Sequence, residues 1–196
     1  MKKVLYFAAA LLLGFTFTAC EKEDIENTAT VNTAGQWYVT VDAVDENGNV
    51  PDGFEDFFGL GRFQILTYNT NANIGSEMFI DDQGEFWEFK FKVNTDQQTR
   101  NFSASNIPYN EEMQEYADAI AAGNPILDGD GEVLQGETAT ITDGKILLQA
   151  GRQNNGSPAD SIVFYISFSD DPFPARYGYA KYKVSGIRYS GLVEND

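Results

Sequence analysis

The sequence predicts an all-β fold, a sandwich or closed barrel of about eight or nine antiparallel strands, with one helix inserted late. Three observations predict it. From Gly35 onward, short runs alternating apolar and polar residues are divided by Gly, Asn, Asp and Pro. In the clearest run, Phe86 to Val93, Trp87, Phe89, Phe91 and Val93 take one face while Glu88, Lys90 and Lys92 take the other. A single segment, Asn110 to Ala122, changes to helical spacing. No internal repeat of about 20–50 residues is present, which excludes a propeller or solenoid.

The chain opens with Lys2 and Lys3, an apolar run from Val4 to Ala19, and its one cysteine, Cys20. A positive start, a short hydrophobic core and small residues at a cleavage point form the pattern of a secretory signal. A spanning helix would need about 20 apolar residues. Thr18-Ala19-Cys20 resembles a bacterial lipobox, in which the cysteine is acylated and becomes the first residue of the mature protein. The expectation is a lipoprotein signal peptide over 1–19, a lipidated Cys20, a flexible linker over 20–34 and one β domain over 35–196. Lys22-Glu23-Asp24 resembles an acidic signal that sends some Gram-negative lipoproteins to the outer face of the outer membrane. It reads equally well as solvated linker charge. The expected location is the cell envelope at the outer membrane, with attachment through N-terminal acyl chains.

Strands follow from the alternation. Trp37 to Ala43 is the first, and Asn47-Gly48 after it is the dipeptide of a type I′ hairpin turn. Arg62 to Tyr68, Met78 to Ile80 and Glu85 to Val93 come next, the last two divided by Asp82-Gln83-Gly84. Gln98 to Ser105 is another. In the helical segment Met113, Tyr116, Ala117, Ile120 and Ala121 share a face, Glu111 and Glu112 occupy the first turn, and Gly123 closes it. Strands resume at Glu137 to Thr142, turn at Asp143-Gly144 and continue through Lys145 to Ala150. Asp160 to Ser169 sets Ile162, Phe164, Ile166 and Phe168 on one face, and Tyr177 to Tyr189 supplies the last strand or pair.

Composition removes whole classes of function. The 196 residues carry 13 basic and 30 acidic side chains, a formal charge of −17. Such a surface repels phosphate backbones, so nucleic acid is excluded as a partner, and no basic patch offers membrane binding. With Cys20 modified, no thiol is left for a disulfide. Histidine is absent, which rules out Ser-His-Asp and Cys-His catalysis and histidine-containing metal centres. Carboxylate chemistry remains open. So does no chemistry.

Gly35-Gln36-Trp37 opens the first strand as the Gly-x-Trp of lipocalins and other calycins does, and Val184-Ser185-Gly186-Ile187-Arg188 places an arginine in the closing strand. More specific are Thr67 to Asn73, Ile80 to Lys90, Ala159-Asp160-Ser161-Ile162 and Asp170-Asp171-Pro172. Together these resemble the bacterial lipoproteins named lipid-binding putative hydrolases, over roughly Gly35 to Val193. The resemblance implies an antiparallel calycin-like, lipocalin-like β-barrel in which Arg188 lies over Trp37 at a closed base. The segment from about 108 to 136 reads as an insertion into it. It also implies a small apolar or lipid-like ligand, for which Trp87, Phe89, Phe91, Phe164, Ile166 and Phe168 are the candidate cavity lining. Those side chains could equally fill the core. In that case the expectation is a surface module binding a protein or glycan partner around Tyr177, Tyr179 and the Pro172–Pro174 loop.

The family's second word, hydrolase, finds little to rest on. There is no Gly-x-Ser-x-Gly elbow, and Ser161 beside Asp160 has no base. No catalytic residue, cofactor or metal is expected. Asp81-Asp82 and Asp170-Asp171 read as solvated turn acids. Asp45-x-Asn47-x-Asn49 and Asp128 to Glu132 have calcium-like spacing without the complete loop.

Overall fold

The computed structural model describes residues 27–192. The alternation read from the sequence becomes eight walls: β1 (Gly35–Val44), β2 (Phe63–Asn69), β3 (Glu77–Asp81), β4 (Lys90–Asp96), β5 (Asn101–Pro108), β6 (Thr138–Arg152), β7 (Pro158–Phe168) and β8 (Lys181–Arg188). Each pairs antiparallel with the next, and β8 returns to β1, so the sheet closes into an eight-stranded barrel. Closure leaves no sheet edge exposed. Two short helices lie in the connections, α1 (Glu111–Ala121) between β5 and β6 and α2 (Phe173–Tyr177) between β7 and β8.

Because consecutive strands are antiparallel neighbours, alternate connections gather at the same end. Residues 45–62, 82–89, 109–137 and 169–180 form one end, called the mouth here. The base is built from 27–34, 70–76, 97–100, 153–157 and 189–192.

Inward-facing residues fill the middle. Trp37, Val39, Ile65, Met78, Ile80, Phe164 and Ile166 are fully buried, and Phe89, Phe91, Val93 and Phe102 are no more than 4% exposed. Around the residues with no exposed surface, no space wide enough for a water molecule remains. Each large apolar side chain sealed in this way stabilises the fold by about 1.5–3 kcal/mol.

Several local expectations are corrected. Asp143-Gly144 makes no turn: β6 runs through it as a bulge, with Asp143 at φ 54°. A Cβ on Gly144 would stand 2.5 Å from the Phe102 carbonyl oxygen, so glycine there lets β5 press against β6. Asn47-Gly48 is not a type I′ turn, because Gly48 is at φ 81° while Asn47 is not in the left-handed region. Asp45 organises that turn instead, its Oδ1 accepting from Asn47 N at 2.9 Å and Asn49 N at 2.8 Å. Tyr177 to Gly178 ends α2, and β8 starts only at Lys181.

The linker expectation over 20–34 also changes where it can be seen. Residues 28–33 form turns seated on the base with Thr30 and Thr33 buried. Asn73 Oδ1 accepts from Ala29 N at 2.9 Å, Asn32 Nδ2 donates to Gln97 O at 3.1 Å, and Gln97 Nε2 donates to Thr33 Oγ1 at 2.8 Å. The expected signal peptide, Cys20 and the Lys22-Glu23-Asp24 triplet lie outside the described residues.

Candidate functional site

The two ends of the barrel are built for different purposes. At the base, Trp37 Nε1 donates to Thr67 Oγ1 at 2.9 Å, and that hydroxyl donates to Thr33 O at 2.7 Å. The Arg188 guanidinium stands 4.3 Å from the centroid of the Trp37 ring. It donates from Nη1 to Ala34 O at 2.8 Å and pairs with Asp160 at 3.3 Å. A shielded contact of this kind contributes about 2 kcal/mol. These contacts tie the first strand, the closing strand and the 28–34 turns together over the base.

The mouth is lined with rings. Its organiser is Asp82, fully buried, whose carboxylate accepts from Gly84 N at 3.0 Å, Phe86 N at 3.1 Å and Trp87 N at 2.7 Å. These bonds fold residues 83–87 into a turn. Glu88 then takes φ 54°, and β4 begins at Lys90 instead of Phe86. The strict alternation therefore misplaces Trp87, because its strand stops short of it. Burial pushes the Asp82 carboxyl upward, against the pull of the three amides. The neighbouring acids are no looser: Asp171 Oδ2 accepts from Tyr182 Oη at 2.7 Å and Asp170 Oδ2 accepts from Tyr109 Oη at 3.0 Å. The expectation of solvated turn acids is thus corrected for Asp82, which is buried, and in part for the half-buried Asp171, while Asp170 is exposed. They hold the mouth loops in place.

Trp87, half-buried, stacks on Phe168 with ring centroids 4.6 Å apart and planes 8° from parallel. Across the opening lies a flap carrying Phe54, Phe57 and Phe58. Phe58 meets Phe86 at 5.5 Å, Tyr182 at 5.4 Å and Phe173 at 5.7 Å, while Phe57 meets Tyr179 at 5.2 Å. The flap is tethered at a few points: Phe54 O accepts from Ala43 N at 3.0 Å, and Asp42 Oδ1 accepts from Asp56 N at 3.0 Å. Gly53, Gly59 and Gly61 flank the rings at φ 84°, 68° and 65°, the sort of positions that absorb a hinge motion. Tyr179 and Tyr182 share a hydroxyl–hydroxyl hydrogen bond below it. Desolvation first, then the hydrogen bonds with Tyr179 and Asp171, raises the Tyr182 hydroxyl far above the usual tyrosine value, so it stays a neutral donor.

Of the six aromatic and aliphatic lining candidates, Phe89, Phe91, Phe164 and Ile166 sit deep among other side chains in the middle of the barrel. Phe168 and Trp87 reach the mouth. Phe54, Phe57, Phe58 and Phe173 were not among the sequence candidates, because they lie in connections where no alternation marks a face, and Phe86 was not because the alternation put it on the face opposite Trp87. For Phe54, Phe57 and Phe58 the one available signal was their density between Pro51 and Gly61. Asp128 behaves as Asp45 does, its Oδ1 accepting from Asp130 N and Glu132 N at 2.9 Å each. Both calcium-like spacings are turns closed on their own backbone.

A family model described as lipid-binding putative hydrolase matches residues 22–193. The chain belongs to that family. No curated protein matches it. The lipid-binding family and its eight-stranded barrel fit the apolar mouth just described. For the other half of the family's description, the residues at hand are carboxylates and tyrosines engaged with backbone amides and with one another.

Proposed function

We propose that this family member is an acylated lipoprotein, held at the outer membrane through Cys20, whose mouth takes up one small apolar or amphipathic ligand without chemistry on it. The observation that carries the reading is the ring-lined mouth under the Phe54–Phe58 flap, above a buried core. A ligand enters by lifting the flap and replacing its rings against Trp87, Phe168 and Phe173. Phe stacking energies of about 0.5–1.5 kcal/mol per pair make such an exchange reversible.

Charge selects the polar end of the ligand. Glu85, Glu88, Asp52 and Glu55 rim the opening, so a neutral or cationic head group is favoured and a carboxylate or phosphate is disfavoured. Native mass spectrometry of the protein purified from its own host tests this. The reading expects a co-purified apolar adduct, released by organic extraction. Protein free of adduct that also takes up no long-chain alcohol or alkylamine contradicts it.

The filled core favours a second reading, a surface module whose rim binds a protein or glycan. Leu60 and Tyr177 are 37% and 45% exposed on that rim. It expects partner binding that is lost in Tyr177→Ala and insensitive to long-chain alcohols.

A further inference from the structure

Charge is distributed along the barrel axis with a sharp asymmetry. Among the described residues, every Asp and Glu outside a strand belongs to a mouth connection. The base segments 27–34, 70–76, 97–100, 153–157 and 189–192 contain no acid, and Arg100 is their one charged residue. The acids on strands near the base are occupied. Glu77 pairs with Lys92 at 3.7 Å, Asp160 pairs with Arg188 at 3.3 Å, and Asp96 Oδ1 accepts from Gln98 N at 2.8 Å. On a chain of net charge −17, this end carries little of the negative charge.

That face also presents apolar side chains to solvent. Val31, Ile74 and Leu192 are 48%, 46% and 59% exposed. They sit on segments tied together. Ala29 N donates to Asn73 Oδ1, one residue from Ile74, and Tyr189 N donates at 2.8 Å to Gln36 O, in the strand that residues 28–33 lead into. The turn bearing Val31 is itself fixed to the neighbouring loop through Gln97. They are therefore held outward on a firm platform.

We infer that the base is a bilayer-docking face, with the mouth turned away from the membrane that carries the anchor. The inference rests on the anchor at Cys20 and goes beyond it. Positions 21–26 are all that separate Cys20 from the first described residue, a reach of at most ~25 Å fully extended. β1 alone, with 10 residues, rises about 33 Å along its length. A tether so short brings the base to the lipid and leaves no chain to turn the barrel over. An acid-poor face with protruding Val31, Ile74 and Leu192 enters the headgroup region at lower cost than the carboxylate-rich mouth, which is repelled from it.

The test uses the exported, processed protein reconstituted into vesicles of phosphatidylcholine with a minority of phosphatidylglycerol. Flotation reports the anchor, and hydrogen exchange read by mass spectrometry reports the face. The inference expects floating protein with slowed exchange over 28–34, 70–76 and 189–192, and unchanged exchange over 52–61. It also expects a Val31→Asp, Ile74→Asp variant that floats but loses this protection. Floating protein with no protection at the base, or with protection at the mouth, overturns the docking face while the anchor stands. Protein that does not float overturns both.

Discussion

The guanidinium of Arg188 lies 4.3 Å over the Trp37 ring, and it fits there because residue 35 is glycine. A Cβ at position 35 would stand 2.4 Å from Arg188 Nη1 and 3.0 Å from the Trp37 ring. The Gly-x-Trp spacing is thus a packing requirement, with the closing arginine as the third member.

Removing either side of that arrangement has a defined consequence. Arg188→Ala is expected to lower stability by about 2 kcal/mol through loss of the shielded cation–π contact. Gly35→Ala pushes the guanidinium aside and costs a similar amount. The double variant costs less than the two together, since both remove one interaction. Urea midpoints for the set measure this, and full additivity contradicts it.

Gly186 is the more severe position. It pairs with Val39, and a Cβ there would lie 1.9 Å from Tyr38 O, on a backbone that cannot rotate away. Gly186→Ala separates β8 from β1 and opens the barrel. A loss above about 4 kcal/mol is expected, seen as failure to recover soluble folded protein.

Asp82 governs the mouth turn. Asp82→Ala leaves the amides of Gly84, Phe86 and Trp87 to water, and the expected cost is about 2 kcal/mol with a red shift of Trp87 emission. Burial raises the folded-state value above the ordinary 3.8. The protonated form is the one the fold prefers, so this group's contribution is complete below pH 3.8 and declines as pH rises through the raised folded value. Stability of Asp82→Asn, measured across the same acid range, lacks that decline.

The tyrosines give the opposite end of the pH scale. Tyr68 is pushed up to about 12, by desolvation first and then by Asp81, whose Oδ2 accepts its hydroxyl at 3.1 Å. Tyr109, Tyr179 and Tyr182 are raised further, each by desolvation first. Their contribution to stability is whole below pH 10 and is lost as pH climbs through the folded values. In a spectrophotometric titration these four are expected to ionise only with unfolding, as a cooperative late step. Smooth titration of all tyrosines near pH 10 contradicts it.

The barrel was legible in the sequence because period-two alternation survives wherever one face is buried, as along Trp37, Val39 and Val41 or Phe164, Ile166 and Phe168. Asp143-Gly144 misled because the same dipeptide serves a turn or a bulge, and only the closeness of Phe102 decides between them. Trp87 misled because the Asp82 carboxylate, five residues upstream, captured its amide and kept the segment in a turn until Lys90. The flap phenylalanines carry no periodicity at all. Their role depends on which loops the barrel gathers at one end, and that is fixed only when β8 closes on β1.

The central claim is that an apolar ligand enters at Trp87. The protein has two tryptophans, and Trp37 is sealed beneath Arg188 at the opposite end. Titration with a long-chain alcohol, read by intrinsic fluorescence, is expected to give a saturable blue shift that vanishes in Trp87→Phe. No shift, or a shift that persists in Trp87→Phe, contradicts the account.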